Sequence, residues 1–196
     1  LGLRCEEPVD LRAAAGRLQQ LTPDVGIVVA YGRLIPHELL ALPRCGMLGL
    51  HPSLLPRYRG ASPIAWAIVN GESVTGATTF RLNDRLDAGD IAMQQTVPLD
   101  HSDTAVTLSE RLAALGGGLL VNTLTALEEG TVAFRPQDEH AATYARKLVK
   151  EDGGIDWKTP AASIDRVVRA MIPWPGASTT WRGQSVPCSS VCRLAV

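Results

Sequence analysis

Two short apolar runs constrain the fold of this 196-residue chain more than any other feature. Residues 25–31, rich in valine and closed by Gly32, and residues 46–50 are too short for buried helices, and neither alternates as a strand with one wet face does. Such runs suit strands buried on both faces of a parallel sheet. Between them Pro36 opens a helix-length segment reaching Leu42, so strand, helix and second strand make a βαβ unit. An α/β chain is the consequence.

The remaining segments attach to that unit. Leu11, Ala14, Ala15 and Leu18 recur at helical spacing within residues 10–20. Residues 62–69 predict a helix with Pro63 in its first turn. Residues 75–82 and 91–97 alternate, are rich in threonine, and form a hairpin through Asn83, Asp84, Asp87, Gly89 and Asp90. Residues 107–129 predict the longest helix, with Leu108, Leu112, Leu115, Leu119, Leu120 and Leu124 on one broad face. Its triplet Gly116 to Gly118 reads as close helix packing, because no strand leads into it and no Lys-Ser/Thr follows as a phosphate cradle requires. Residues 131–158 are polar and read as a connector over the surface. Thr159 then caps a helix over residues 161–170, which Pro173-Trp174-Pro175-Gly176 ends. Residues 177–181 and 185–194, turning at Arg182-Gly183, resemble a hairpin that opens a further domain with nothing left to pack on. The division expected is residues 1–146, a linker and helix over 147–173, and the start of a third unit over 174–196.

Composition excludes several classes. With 45% hydrophobic and 20% charged residues the chain is neither disordered, collagen-like nor a disulfide scaffold. The formal net charge of −1 supplies no long-range field for a polyanion, so a nucleic acid must be held locally. Cys5, Cys45, Cys188 and Cys192 are too scattered to frame a fold and read as reduced thiols; Cys188 and Cys192 lack the two further ligands of a closed zinc site. The longest apolar run is far short of the roughly 20 residues that span a bilayer, so no membrane partner is expected.

Two side chains stand where chemistry is done. His51 follows the second apolar run, and ligands of open α/β sheets bind beyond the carboxyl ends of strands. An imidazole there exchanges protons near neutral pH. Asp87 lies in Leu86-Asp87-Ala88-Gly89-Asp90, where glycine permits a tight backbone and the carboxylate can turn inward to orient a histidine. Taken singly, each is more often a capping, packing or local hydrogen-bonding residue. Arg57 and Arg59, in the irregular loop between Pro52 and Gly60, are candidates to hold an anion or are solvated loop residues.

The stretch His51-Pro52-Ser53-Leu54-Leu55-Pro56-Arg57-Tyr58-Arg59-Gly60-Ala61-Ser62-Pro63-Ile64, with Leu86-Asp87-Ala88-Gly89-Asp90 after it, resembles the core of the formyltransferases that use 10-formyltetrahydrofolate. Ala142-Thr143-Tyr144-Ala145-Arg146-Lys147-Leu148, Ile155-Asp156-Trp157 and Pro173-Trp174-Pro175-Gly176 are most similar to the methionyl-tRNA formyltransferases among them. The resemblance implies a Rossmann-like fold with a mostly parallel sheet, then a linker and a small OB-like β-barrel that helps hold tRNA. His51 and Asp87 match the catalytic pair. Ser53, Leu54, Leu55 and Pro56 match the folate-binding segment, and Tyr31, Gly32, Arg33, Leu34 and Ile35 match the stretch that lines the pterin pocket. Arg57, Arg59 and Lys147 fall where contacts to tRNA are expected. The implied reaction carries a formyl group from 10-formyltetrahydrofolate to the amine of methionyl initiator tRNA in translation initiation. It needs a proton relay, donors to an oxyanion and an oriented imidazole, and no metal. A monomer in the bacterial cytoplasm or an organellar matrix is the accompanying expectation.

The chain departs from the family at three places. Gly49 stands where the family has an asparagine that donates to the formyl oxygen, and losing one such donor lowers a rate on the order of 10² to 10³. The family's N-terminal βα unit does not precede Leu1, and most of its C-terminal barrel does not follow, so exposed sheet edges and low stability are expected of the isolated chain. Formylation of an amino-sugar nucleotide, or binding of folate or tRNA without catalysis, are the alternative readings.

Overall fold

The computed structural model of the chain describes residues 2, 5 and 7–189. Cys192 and the last residues of the second strand predicted near the C-terminus lie outside the described residues. The elements run α1 (Ala15–Gln20), β1 (Gly26–Val29), α2 (His37–Leu40), β2 (Met47–His51), β3 (Arg59–Gly60), α3 (Pro63–Val69), β4 (Val74–Arg81), β5 (Ile91–Pro98), α4 (Ala105–Glu128), β6 (Tyr144–Ala145), α5 (Ala161–Ala170), β7 (Ala177–Trp181) and β8 (Gln184–Cys188). A 3-10 turn over Arg12–Ala14 precedes α1, so the first predicted helix is partly of tighter pitch.

The main sheet has the order β1-β2-β4-β5. β1 and β2 are parallel, with Gly26 opposite Met47 and Val29 opposite Leu50, which is the βαβ unit that the two apolar runs predict. β4 pairs antiparallel with both β2 and β5, so parallel pairing in the described sheet is confined to that unit and the predicted hairpin makes the rest antiparallel. Burial of β1 on both faces does not hold. Ile27 and Val29, on one face of β1, are 40% and 50% exposed, because no described helix packs over this edge strand, whereas Leu48 in β2 is fully buried.

α4 starts at Ala105, ahead of the predicted boundary, because the Thr104 hydroxyl accepts from the Thr107 N–H at 3.2 Å. It crosses the sheet, and its Thr123 hydroxyl meets that of Thr79 on β4 at 2.7 Å. Leu108 and Leu112 of α4 pack with Ile68 of α3, Leu148, and Ala170 and Met171 at the end of α5. Each large side chain so buried stabilises by about 1.5–3 kcal/mol. Of the glycine triplet only Gly116 serves packing: a Cβ there would stand 2.9 Å from Leu50 Cδ2, while Gly117 and Gly118 face open space.

Two expectations about the C-terminal part are corrected. Thr159 does not cap α5; its hydroxyl donates to the Asp156 carbonyl at 2.7 Å, and Pro160 holds the cap position. The β7–β8 hairpin does have something to pack on, since Ile155 N donates to Ser178 O at 2.9 Å and Trp157 Nε1 to Thr179 Oγ1 at 2.7 Å. The connector is likewise tied down. Arg135 exchanges both backbone hydrogen bonds with Ile91, at 2.8 and 2.9 Å, and β6 lies parallel to β3 with Arg59 opposite Tyr144. Among the described residues no helix is long and apolar enough to cross a membrane.

Candidate active site

Alternate residues of a strand share a face, so β2 presents Gly49 and His51 together. The antiparallel register sets Gly49 against Phe80 and His51 against Thr78. His51 is buried, and its Nε2 stands 2.8 Å from the Tyr58 carbonyl oxygen. A carbonyl only accepts, so Nε2 carries the hydrogen and the neutral ring keeps a bare lone pair on Nδ1. That nitrogen lies 3.7 Å from Asp87 Oδ2, beyond hydrogen-bond length. Burial pushes the His51 pKa below the ordinary 6.5, and the Asp87 charge and the Tyr58 carbonyl oppose it in part.

Asp87 sits on the loop between β4 and β5 with a left-handed φ of 49°, a conformation that aspartate tolerates better than most residues. Its Oδ2 accepts from Gly60 N at 2.8 Å. The loop closes through Arg81 N, which donates to Asp90 O at 2.8 Å, and a Cβ on Gly89 would overlap the Arg81 carbonyl oxygen. This is the reason for glycine in Leu86-Asp87-Ala88-Gly89-Asp90.

A cavity of about 610 Å³ opens on these residues and is lined by Tyr31, Gly32, Arg33, Leu34, Ile35, Gly49, His51, Phe80, Leu82 and Asp87, among others. Its volume and mainly apolar wall suit a small-molecule site with a few polar groups. Residues 31–35, predicted to line a pocket, therefore do meet His51 and Asp87. Ser53, Leu54, Leu55 and Pro56 do not line it. Ser53 is buried with its hydroxyl donating to Arg57 O at 2.6 Å, and Leu55 packs with Phe80 and Ile91. Thr78 Oγ1 fixes the segment by donating to Ser53 O at 2.6 Å and accepting from Leu55 N at 3.1 Å. Ser53 to Pro56 thus shape the loop after His51 instead of forming the cavity wall.

The basic residues divide. Lys147 is exposed. Arg57 is half-exposed and paired with Glu72. Arg59, predicted to reach a tRNA, is fully buried, donating from Nε and Nη2 to Gln137 Oε1 at 3.0 and 2.7 Å and from Nη1 and Nη2 to Glu139 at 3.1 and 3.0 Å. A guanidinium so enclosed cannot meet a phosphate, and this corrects the expectation. With its second partner Arg85, Arg59 holds the Glu139 carboxyl down to about 2. Sequence reasoning missed Gln137, Glu139 and Thr143, whose hydroxyl accepts from Tyr58 N at 2.8 Å. They lie in the polar connector, and nothing in their spacing marks them as neighbours of residues 58–60. Among the described residues no group of three or more His, Cys, Asp or Glu is placed to hold a metal ion.

Comparison with known proteins agrees with this geometry. Residues 7–124 match the family "Formyl transferase" and residues 147–194 match "Formyl transferase, C-terminal domain". Methionyl-tRNA formyltransferase of Roseiflexus castenholzii is 46% identical over 185 residues, 93% of this chain and 59% of that protein. The enzyme of the same name from Acidobacterium capsulatum is 49% identical over 170 residues, 87% of this chain and 55% of its own length. The chain spans less than two thirds of these curated relatives. Among solved structures, HypX from Aquifex aeolicus in complex with tetrahydrofolic acid superposes with a TM-score of 0.77 at 26% identity, covering 90% of this chain and 30% of that one. A 4-N formyltransferase from Francisella tularensis superposes with a TM-score of 0.81 at 19% identity, covering 95% and 78%, and so shares the fold. The cavity at the end of β2, the loop carrying Asp87 and these matches lead to one conclusion: the chain belongs to the formyl transferase family.

Proposed function

We propose that the protein containing this chain transfers a formyl group from 10-formyltetrahydrofolate to the amino group of methionyl initiator tRNA. The observation that carries the reading is a buried His51 whose Nε2 is committed to the Tyr58 carbonyl and whose Nδ1 stands 3.7 Å from Asp87 on the wall of a cavity of about 610 Å³. The co-substrate supplies the activated formyl group. As the amine adds to the formyl carbon Nδ1 accepts the proton it loses, the carboxylate of Asp87 stabilises the imidazolium, and that proton passes to the folate nitrogen as its bond to the formyl carbon breaks. Residues 31–35 and Phe80 give the cavity an apolar wall against which a flat ring system packs. The relatives at 46% and 49% identity favour tRNA as the acceptor.

The test is formyl transfer measured in parallel with methionyl initiator tRNA and with an amino-sugar nucleotide. Transfer to the tRNA is the expected result. Transfer to the sugar alone, or folate binding with no transfer to either, overturns the reading.

A pH profile checks the role of His51. Because burial lowers its pKa, the neutral form persists below pH 6.5, and the acid limb of kcat/KM is expected to fall below that value. Asp87→Asn removes the charge that raises the pKa, so the limb moves lower still while the plateau drops by about 10²- to 10⁴-fold. A limb that moves to higher pH in this variant contradicts the assignment.

A further inference from the structure

The side-chain amide of Gln137, on the connector after α4, is buried between the two loops that build the site. Its Oε1 accepts from Arg59 Nε and Nη2 at 3.0 and 2.7 Å. Its Nε2 donates to the Asp87 carbonyl at 2.8 Å and the Gly89 carbonyl at 2.7 Å. A primary amide has two N–H donors and two lone pairs, and here all four are used. The amide can face only one way, since turning it over would aim its N–H groups at a guanidinium and its oxygen at two carbonyls.

The consequence for Asp87 is a double hold. Its carboxylate accepts from the N–H of Gly60, and its carbonyl from Gln137. The residue before Gly60 is Arg59, which the same amide binds, so one side chain fixes both the donor loop and the acceptor loop. Asp87 needs such a hold because its left-handed backbone is sterically disfavoured and persists only where surrounding groups impose it. Gln137 is not among the residues that line the cavity.

We propose that Gln137 is a positioning residue that sets the distance from the Asp87 carboxylate to His51; its catalytic meaning rests on the formyl transfer proposed above. Asp87 is the charged group whose field reaches His51; Arg33 and Arg85 also line the cavity, and Arg85 and the buried Arg59 both pair with Glu139.

The experiment follows the His51 ring by NMR through a pH titration in the parent protein, Asp87→Asn, Gln137→Met and the double variant. With the parent chain, Asp87→Asn lowers the His51 pKa. In the Gln137→Met background the Asp87 backbone and the Arg59–Gly60 segment lose their common tie, so the carboxylate keeps only its bond from Gly60 N–H on a loop free to shift, and the same change is expected to have half that effect or less. An undiminished effect, with a lower Tm as the only result of Gln137→Met, overturns the proposal and leaves Gln137 as a fold-stabilising residue. Should Gln137→Met not fold, Gln137→Glu keeps an acceptor for Arg59 but turns an oxygen on the Asp87 and Gly89 carbonyls. Repeating the cycle in that background cancels the added charge and gives the same decision. In the transfer assay kcat falls on the order of 10- to 100-fold in either variant with KM for the folate unchanged. A raised KM at unchanged kcat also overturns the proposal. If the parent protein transfers no formyl group, the functional reading fails, while the titration still decides whether Gln137 places Asp87.

Discussion

Gly49→Asn, made alone, lowers the melting temperature and leaves formyl transfer no faster. The family resemblance suggests the opposite, since asparagine would return a donor for the developing oxyanion. The structure supplies the obstacle. A Cβ at position 49 would stand 2.6 and 2.7 Å from Phe80 Cε1 and Cζ and 2.8 Å from Leu82 Cδ1. Phe80 is the direct cross-strand partner of Gly49 and is packed against Leu55 and Ile91, so its ring can withdraw only into the cavity it borders, at the expense of those contacts. Overpacking of this kind destabilises by about 1–3 kcal/mol. Pairing the change with Phe80→Met replaces a rigid ring by an unbranched chain that can bend away. The double variant is expected to recover much of the lost Tm and to turn over about 10²- to 10³-fold faster than Gly49→Asn alone. A hundredfold gain from the single change at unchanged Tm would refute the placement of Phe80. Glycine at 49 and phenylalanine at 80 are one feature: the ring occupies the space that a side chain on β2 would take.

Gly89→Ala destabilises the protein by about 3 kcal/mol or more, a fall in Tm of roughly 6 to 12 °C, and removes formyl transfer with it. The added methyl would overlap the Arg81 carbonyl oxygen, a backbone atom at the end of β4 that cannot swing aside. The loop would open, taking the Asp87 carbonyl and carboxylate from Gln137 and Gly60. Thermal unfolding and the transfer assay measure both effects. Gly118→Ala is the control. A methyl there meets nothing, and alanine in a helix interior is favoured over glycine by roughly 0.5–1 kcal/mol, so its Tm rises. Equal effects at the two positions would show that the loop yields.

The sequence makes legible whatever depends on local pattern. The apolar runs place β1 and β2, Pro63 starts α3 where predicted, and the threonine-rich alternation yields the β4–β5 pairing. His51, the last residue of β2, and Asp87, on the loop between β4 and β5, come within 3.7 Å because β2 and β4 are neighbours in one sheet. Partners distant in sequence were not legible. An apolar run reports that a strand is fit for burial, not what covers it, and β1 shows Ile27 and Val29 on its open side. Arg59 was misplaced because a loop arginine looks alike from sequence whether it faces water or a buried amide 78 residues away. Gln137 carried no signal, since one glutamine in a polar connector is typical of exposed chain. Phe80 fitted the strand pattern, and its collision with a side chain at position 49 exists only in the register of β2 against β4.

The parallel pairing of β3 with β6 also fixes an order of events during synthesis. The backbone of Tyr58 and Arg59 is held by Thr143, Arg59 faces Tyr144, and the carbonyl that orients His51 belongs to Tyr58. β1, β2, β4, β5 and α4 are all translated before residue 131, so the nascent chain can lay down its sheet and cross it with a helix while residues 58–60 still lack partners. Closing so long a loop has an entropic cost that no local contact offsets in advance. A ribosome that has just released α4 therefore carries a sheet in which the Tyr58 carbonyl beside His51 still lacks its Thr143 support, and emergence of residues 137–145 supplies it.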